Sequence, residues 1–317
     1  MKIRIVAFAF AVLLLFAMRG DCAVTNVYST QFEAAQGYNT NLDLIGQSGW
    51  LGSGSGGNGI LPTGFNGQGQ SAYIGFDAPH PTNSNLVVWK PVNFNPIAAG
   101  FPIVKFTVQM RIEDSTNSKW DDFRWSLYNT QGNRLFSLSF DNDFLDVAYL
   151  LDGTNTIAVT NVKFTNSVPY VLTVTMNFTS NRWSASLGNA LIATNKLITT
   201  TNAPLTLGDV DAVWLVNQIS NTNAPGNNYM IFDNYLITAE SVTVPPAQMQ
   251  YLGRTGDGWS VLRVNGQNNS RWSVDATTNM VNWVALKTNT ISGTFFDHVD
   301  MMSAGQPKRF YRARLVP

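Results

Sequence analysis

The chain has 317 residues, a formal net charge of zero and only 13% charged side chains. A chain without net charge offers no electrostatic support for a nucleic-acid partner, and we expect none. The low charged fraction is made up by Asn, Thr, Ser and Gly, a composition typical of turn-rich β proteins. The single cysteine excludes a disulfide framework.

The first residues have the pattern of an export signal. Lys2 and Arg4 precede an apolar run from Ile5 to Met18. This run is too short to span a bilayer and fits the apolar centre of a signal peptide. We therefore predict that residues 1–23 are removed and that the protein is secreted or displayed at the cell surface. Cys22 leaves lipidation open as an alternative.

Strands and turns are predicted from residue 24 to residue 240. Phe101–Glu113 and Tyr170–Phe178 alternate apolar and polar side chains. Residues 123–140 and 182–192 are predicted to form hairpins, because a turn signal separates two alternating runs in each. No stretch after the signal has helical periodicity. The pattern predicts two packed antiparallel sheets, each with one apolar and one polar face.

A second unit is predicted after a linker. Residues 241–249 include Pro245–Pro246 and form the predicted linker. Residues 250–317 contain five short strand patterns, beginning with GWSVLRVN and SRWSVDAT. This spacing predicts a small β-sandwich.

Several stretches resemble known families. FEAAQGYNTNLDLIGQSGW, RWSLYNTQGNRLFSLSF and NNYMIFDNYLIT resemble the concanavalin A-like lectin/glucanase jelly rolls, laminin-G-like in style, of secreted bacterial proteins. RWSVDATTNMVNWVALKTNT and QPKRFYRARLVP resemble a C-terminal module of exported proteins in Verrucomicrobia-like bacteria. The resemblance implies an all-β chain: an antiparallel jelly-roll β-sandwich over 24–240, then a small immunoglobulin- or fibronectin-like sandwich that attaches to the cell envelope. Such jelly rolls serve as lectins, enzymes and spacers alike.

Pairs of acidic residues are candidates for catalytic groups. The glucanases that this fold resembles carry an E-x-D-x-x-E or E-x-D-x-x-x-E strand, whose two Glu side chains are nucleophile and general acid. None of the three Glu residues opens such a motif. In DNDFLD, strand alternation would place Asp141 and Asp143 on one face and Asp146 on the other. We interpret the segment instead as the polar end of a hairpin. Asp209 and Asp211 are predicted to end a strand. We expect no catalytic residues, with a hydrolase or lyase that uses an unfamiliar Asp pair as the alternative.

Sugar binding is the leading prediction. Sugars are bound by aromatic faces and by planar amide, carboxylate and guanidinium groups. The polar strand faces and one loop supply such groups: Gln109, Arg111, Trp120, Asp121, Asp122, Arg124 and Tyr128. Trp120 is predicted to be exposed, whereas Trp125, Trp183 and Trp214 alternate with apolar residues and are predicted core. We expect a non-catalytic protein whose partner is a polysaccharide or a surface glycan. A structural adhesin or spacer is the further alternative.

Asp233 interrupts the apolar strand YMIFDNYLIT. On a two-residue period it would share a face with Ile231 and Tyr235, where an unpaired carboxylate is costly. The Phe-Glu pair ending at Glu33 and the Asp-Asn pair at Asp233 resemble the first and last strands of jelly-roll carbohydrate-binding modules, whose acids hold a structural calcium. The resemblance implies a calcium ion bound by Glu33 and Asp233. The alternative is a hydrogen-bonded bulge at Asp233.

Overall fold

The structure is a computed structural model that describes residues 23–77, 85–152, 157–216, 226–242 and 247–316. The chain divides into two compact units, Ala23–Val242 and one that begins at Thr243. Residues 1–22 of the predicted signal peptide and the centre of the predicted linker lie outside the described residues. Within the described ranges, no helix is long and apolar enough to cross a membrane.

The first unit is built of strands joined by turns and two short 3-10 turns, Ala34–Gln36 and Gln47–Gly49. Its described strands are β1 (Val24–Thr30), β2 (Leu51–Ser53), β3 (Asn58–Leu61), β4 (Ser71–Gly75), β5 (Asn85–Trp89), β6 (Ile103–Glu113), β7 (Asp122–Tyr128), β8 (Arg134–Asp141), β9 (Asp146–Leu151), β10 (Ile157–Lys163), β11 (Tyr170–Asn177), β12 (Arg182–Leu187), β13 (Ala190–Leu197), β14 (Asp209–Leu215) and β15 (Tyr229–Glu240).

These strands form two antiparallel sheets. The first sheet has the order β13-β12-β11-β6-β15-β4-β3, and β1 also pairs with β15. The second sheet has the order β10-β9-β8-β7-β14-β5-β2. Sequential strands such as β6 and β7 therefore belong to different sheets. The prediction of an all-β antiparallel sandwich is confirmed.

The apolar core lies between the two sheets. Ring contacts join the sheets directly: Phe106 of β6 lies 5.4 Å from Trp125 of β7, and Phe136 of β8 stacks at 4.2 Å on Trp183 of β12, both between ring centroids. Trp125, Trp183 and Trp214 are all buried, as predicted. Because the apolar faces meet inside, the polar faces of the two sheets lie on opposite sides of the sandwich.

Both predicted hairpins are present, as β7–β8 and β12–β13. The DNDFLD segment is the predicted polar end of a hairpin, whereas the shared face that alternation would give Asp141 and Asp143 is not formed. Residues 142–145 form a turn, so Asp141 and Asp146 lie opposite each other across the β8–β9 hairpin. The Asp141 carboxylate accepts the backbone N–H groups of Asp143 and Phe144, both at 3.0 Å. Strand alternation does not continue through a turn, which is why the predicted shared face of Asp141 and Asp143 is not formed.

The last strand of the unit contains a β-bulge. β15 pairs with β6 along one edge, and the register shifts between Asp233 and Leu236. Its other edge is divided: β4 pairs with residues 229–232 and β1 pairs with residues 235–240. Asn234 takes a φ of 49° at this break. The extra residue reverses the alternation, so Asp233 faces outward beside Gln109 while Tyr235 faces the core. The predicted shared face of Asp233 and Tyr235 is wrong for this reason.

The second unit has two three-stranded antiparallel sheets, β16-β17-β20 and β19-β18-β21. Their described strands are β16 (Gln248–Arg254), β17 (Ser260–Asn265), β18 (Arg271–Thr277), β19 (Val284–Thr290), β20 (Phe295–Asp300) and β21 (Phe310–Leu315). A 3-10 turn, Met301–Ser303, follows β20. The buried core includes Val264, Trp272, Val274 and Ile291. All five predicted strands are present, and β16 is additional.

Candidate functional site

The structure separates the predicted ligand residues into three places. Gln109 and Arg111 lie on β6 of the first sheet. Asp122, Arg124 and Tyr128 lie on β7 of the second sheet. Trp120 and Asp121 precede β7. The two strand groups face opposite sides of the sandwich, so no single ligand site contains both.

On the first sheet, the predicted residues are paired with other side chains of the protein. Arg111 Nε lies 2.5 Å from Glu113 Oε1, and the guanidinium lies over the Phe65 ring. Gln109 Oε1 accepts from Asn234 Nδ2 at 3.0 Å. Both side chains are therefore engaged in contacts within the protein.

The residues before β7 are held by contacts within the unit. Trp120 is half-buried, and its indole donates to Asp114 Oδ1 at 3.0 Å. Asp121 is fully buried and accepts from the indole of Trp214 at 3.1 Å. Its backbone N–H donates to the Asn228 side chain. Asp121 therefore fixes a core tryptophan from inside the fold.

The second sheet carries a different outer surface, which we call the polar face. It consists of Asp122, Arg124, Ser126 and Tyr128 of β7 with Asp209 and Asp211 of β14. The register between the strands places Tyr128 opposite Asp209 and Ser126 opposite Asp211. Directly opposed residues in an antiparallel pair share one face, so these side chains are neighbours. The polar face therefore includes three of the seven predicted ligand residues.

Asp209 and Asp211 were not predicted as site residues. They lie at the beginning of β14, consistent with the predicted strand end, and are two residues apart, so their side chains point the same way. Burial, the charge of Asp209 and a hydrogen bond to it raise the pKa of Asp211 to about 9. Burial also raises the pKa of Asp209, while the hydrogen bond from Asp211 lowers it. At neutral pH Asp211 is thus the protonated partner and donates to the Asp209 carboxylate. In the sequence, the D-x-D spacing was the feature that could have indicated this pair.

Arg124 and Tyr128 border the acid pair. Arg124 is half-buried, and burial together with the charge of Arg134 lowers its pKa. Among the described residues, neither Arg124 Nε nor Asp211 Oδ1 has a hydrogen-bond partner. Burial and the negative charge of Asp211 raise the pKa of Tyr128. Buried polar atoms are normally bonded, so Arg124 Nε and Asp211 Oδ1 are exceptions within the described residues, as is Arg111 Nε on the first sheet.

Aromatic rings flank the polar face. On the far edge of β14, Val213 pairs with Val87 of β5. Extending this antiparallel register by two residues places Trp89 beside Asp211. Trp89 is half-buried, as is Tyr128 on the opposite edge. The arrangement combines two aromatic side chains with carboxyl and guanidinium groups on one surface.

Glu33 and Asp233 are brought close together. Asp233 is 1% exposed, and its Oδ1 accepts the N–H of Asn234 at 2.6 Å. Burial raises the pKa of Asp233 to about 6, and the nearby Glu33 charge adds to this effect. The predicted bulge is therefore present. Glu33 Oε1 accepts the backbone N–H of Gln70 at 3.2 Å.

The surroundings of this pair fit a calcium ion by their chemistry. Ser71 is fully buried beside Asp233. The Ser71 hydroxyl lowers the pKa of Asp233 as a hydrogen-bond donor, and within the described part of the chain Gln70 Oε1 has no hydrogen-bond partner. Two carboxylates that each bind through both oxygens would, with these two oxygens, supply about six ligands, the lower end of what calcium takes. The described residues contain no cluster of three or more His, Cys, Asp or Glu side chains that could hold a metal.

Three solved structures illustrate what the chain is similar to. It is similar to a sialidase, at 6% identity over 60% of this chain and 17% of that one, with a TM-score of 0.42. A carbohydrate esterase from the Shiga toxin-encoding bacteriophage phi24B matches at 11% identity, 68% of this chain, 99% of that one and a TM-score of 0.46. A Bacillus subtilis protein of unknown function with a galectin-like fold matches at 12% identity, 71% of this chain, 99% of that one and a TM-score of 0.45.

The chain thus spans less than a fifth of the sialidase that it matches. All three TM-scores lie below 0.5, and the sandwich architecture rests on this chain's own strand pairings. No protein-family model and no curated protein matches the sequence.

Proposed function

We propose that this protein binds carbohydrate through the polar face and does not cleave it. The observation that carries the proposal is a set of half-buried side chains on one outer sheet face: Arg124, Tyr128 and Asp209, with Trp89 on the neighbouring strand. A ligand rich in hydroxyl groups would complete the hydrogen bonding of such a face. Trp89 and Tyr128 add rings that can pack on sugar C–H surfaces.

The geometry of the carboxyl pairs favours binding over hydrolysis. Glycosidases separate their two carboxyl groups by about 5–5.5 Å or about 6.5–9.5 Å, so that a glycosidic bond fits between them. Asp209 and Asp211 instead share a hydrogen bond. In the β8–β9 turn, the Asp141 carboxylate is occupied by two backbone N–H groups.

The binding proposal is tested by a polysaccharide pull-down with residues 24–242. We expect retention on at least one insoluble glycan, with at least about tenfold weaker binding for Arg124→Gln, since a bond to a charged group contributes about 1.5–3 kcal/mol. Arg111→Gln, on the opposite side of the sandwich, is the matched control and should bind like the unaltered protein. Trp120→Ala tests the predicted loop residue and is expected to change binding little.

Two outcomes would reject the proposal in favour of the alternatives. Release of soluble sugar, abolished in Asp141→Asn or Asp143→Asn, would identify a hydrolase or lyase. Absence of binding to every glycan tried would leave a structural adhesin or spacer.

We also propose that a calcium ion bridges Glu33 and Asp233 at the bulge of β15. The ion would offset the cost of burying the Asp233 carboxylate, and Ser71 and Gln70 would complete its ligands. Its effect would be structural, because it joins the segment after β1 to the middle of β15.

The calcium proposal is tested by thermal melting with and without a chelator. We expect the melting temperature to fall on chelation and terbium to bind with luminescence that Asp233→Asn abolishes. Asp143→Asn, which changes an exposed turn carboxylate, is the control. A melting temperature that chelation leaves unchanged would reject the ion and leave the hydrogen-bonded bulge.

Export is the third proposal, supported by the sequence pattern of residues 1–23. N-terminal sequencing of protein from the medium or cell surface should begin at Val24. A chain that ends at Val242 tests whether the second unit attaches the protein to the cell envelope: we expect the shortened protein to leave the cell surface for the medium. Retention of residues 1–23 in the mature protein would reject cleavage.

A further inference from the structure

The charges on and beside the polar face cancel. Arg124 and Arg134 contribute two positive charges, and Asp122 and Asp209 contribute two negative charges. Asp211 adds none, because at neutral pH it holds a proton. An ionic ligand therefore gains no net attraction from this surface, whereas an uncharged ligand with many hydroxyl groups meets both donors and acceptors.

The two aspartates are not equally placed. Asp211 is 6% exposed and its Oδ1 is buried, so a ligand cannot reach that oxygen directly. Asp209 is half-buried and nearer to the solvent. The Asp211 hydroxyl donates to the Asp209 carboxylate from the buried side, which fixes the orientation of the outer carboxylate.

We propose that Asp209 is the carboxylate that accepts ligand hydroxyl groups, that Asp211 positions it as a neutral acid, and that the ligand is an uncharged glycan. The inference rests on the proposed function of the polar face. It deepens that function by naming the ligand class, because a surface without net charge offers an acidic glycan no net attraction. Arg124, across β7, supplies donors to the ligand's ring and hydroxyl oxygens.

Other ionisable groups are close to Asp211 and enter its titration. Asp209 lies on the same strand, Arg124 and Tyr128 lie on β7, and Tyr235 lies on the core side, where its hydroxyl donates to Val210 O at 3.0 Å. The sequence of β5, on the other edge, contains no ionisable residue. Tyr128 has a raised pKa, so it stays neutral while Asp211 ionises.

The experiment is calorimetric titration of the full-length protein with laminarin and mannan as uncharged glycans and with alginate and polygalacturonate as acidic ones. At pH 7 we expect binding to an uncharged glycan that changes little with salt. Asp209→Asn should weaken it at least about tenfold, and Asp211→Asn, which copies the protonated acid, should stay within about twofold. At pH 10 the unaltered protein should bind more weakly than at pH 7, while Asp211→Asn should not.

Each remaining outcome decides against the inference. A preference for acidic glycans that salt suppresses would overturn the ligand class. Equal losses for Asp209→Asn and Asp211→Asn at pH 7 would overturn the division between the two residues, provided that both variants melt like the parent. If Arg124→Gln weakens binding and Asp209→Asn does not, the proposed function stands and this inference alone fails. If no glycan binds, both fail.

Discussion

The two outer surfaces of the large sandwich use similar residues in opposite ways. On the first sheet, Arg111 pairs with Glu113, and Gln109 pairs with Asn234, the bulge residue of β15. On the second sheet, Arg124 forms no ion pair among the described residues, and Asp211 holds a proton beside the Asp209 carboxylate. The Arg111 and Gln109 side chains are therefore engaged within the protein, whereas, on the polar face as the structure describes it, the Arg124 guanidinium and the Asp209 carboxylate are not paired with each other or with another ion. Where polar groups are satisfied internally, residue type alone is a poor guide to binding.

The buried carboxylates likewise differ in whether other groups of the protein bind them. Asp275 of the second unit lies between Arg312 and Arg314, and Asp152 accepts hydrogen bonds from three consecutive threonines. These bonds hold the pKa of both groups below the ordinary value, although burial opposes them. Among the described residues, Asp211 Oδ1 has no hydrogen-bond partner, and the pKa of Asp211 is raised.

The largest expected effect is a pH dependence of stability. Unfolded Asp loses its proton near pH 4, whereas folded Asp211 keeps it to about pH 9, so the folded state holds the extra proton between these values. The free energy of unfolding should therefore fall by about 1.4 kcal/mol per pH unit as the pH rises from 6.5 to 8. Urea titration at each pH measures it. Asp211→Asn should flatten this slope, and an equal slope in the variant would contradict the assignment of the proton.

A somewhat smaller loss is expected for Asp121→Ala. This change leaves the buried indole N–H of Trp214 without its acceptor, which costs about 1–3 kcal/mol. Urea denaturation measures the loss, and glycan binding by the folded variant should be unaltered. Asp143→Asn is the control, because Asp143 is exposed at the β8–β9 turn. A loss of binding without a loss of stability would place Asp121 in the ligand site after all.

The smallest expected difference compares the two arginines. Arg111→Ala removes an ion pair and a contact with the Phe65 ring, so we expect a loss of about 1 kcal/mol. Arg124→Ala should lower stability by less, because Arg124 forms no ion pair and no ring contact of this kind within the described residues. Chemical denaturation of both variants at pH 7 measures the two losses of stability and shows which is larger. If Arg124→Ala costs more, the polar face is held by internal contacts and the contrast between the surfaces is wrong.

The alternation of apolar and polar residues along the sequence predicted the strands, the hairpins and the core tryptophans. It assigns a residue to one of two faces but not a strand to one of two sheets. Gln109 and Arg124 were therefore grouped as one kind of surface although β6 and β7 lie in different sheets. The bulge at Asp233 also limits what the alternation of apolar and polar residues can predict. One extra residue moves every following side chain of the strand to the opposite face. The Asp209–Asp211 pair had a visible spacing, but its shared proton depends on burial, which a sequence pattern does not show.

The divided edge of β15 has a consequence for how the chain acquires its fold. Within the first unit, β1 is synthesised first and β15 last, yet Val24 pairs with Glu240. β6, β4 and β3 likewise have no continuous sheet until β15 arrives between them. Pairings between such distant segments form slowly, and the unpaired strand edges stay open to other chains meanwhile. A nascent chain that stops before residue 229 should therefore lack a closed sandwich, and completion of the final strand sets the moment at which folding finishes.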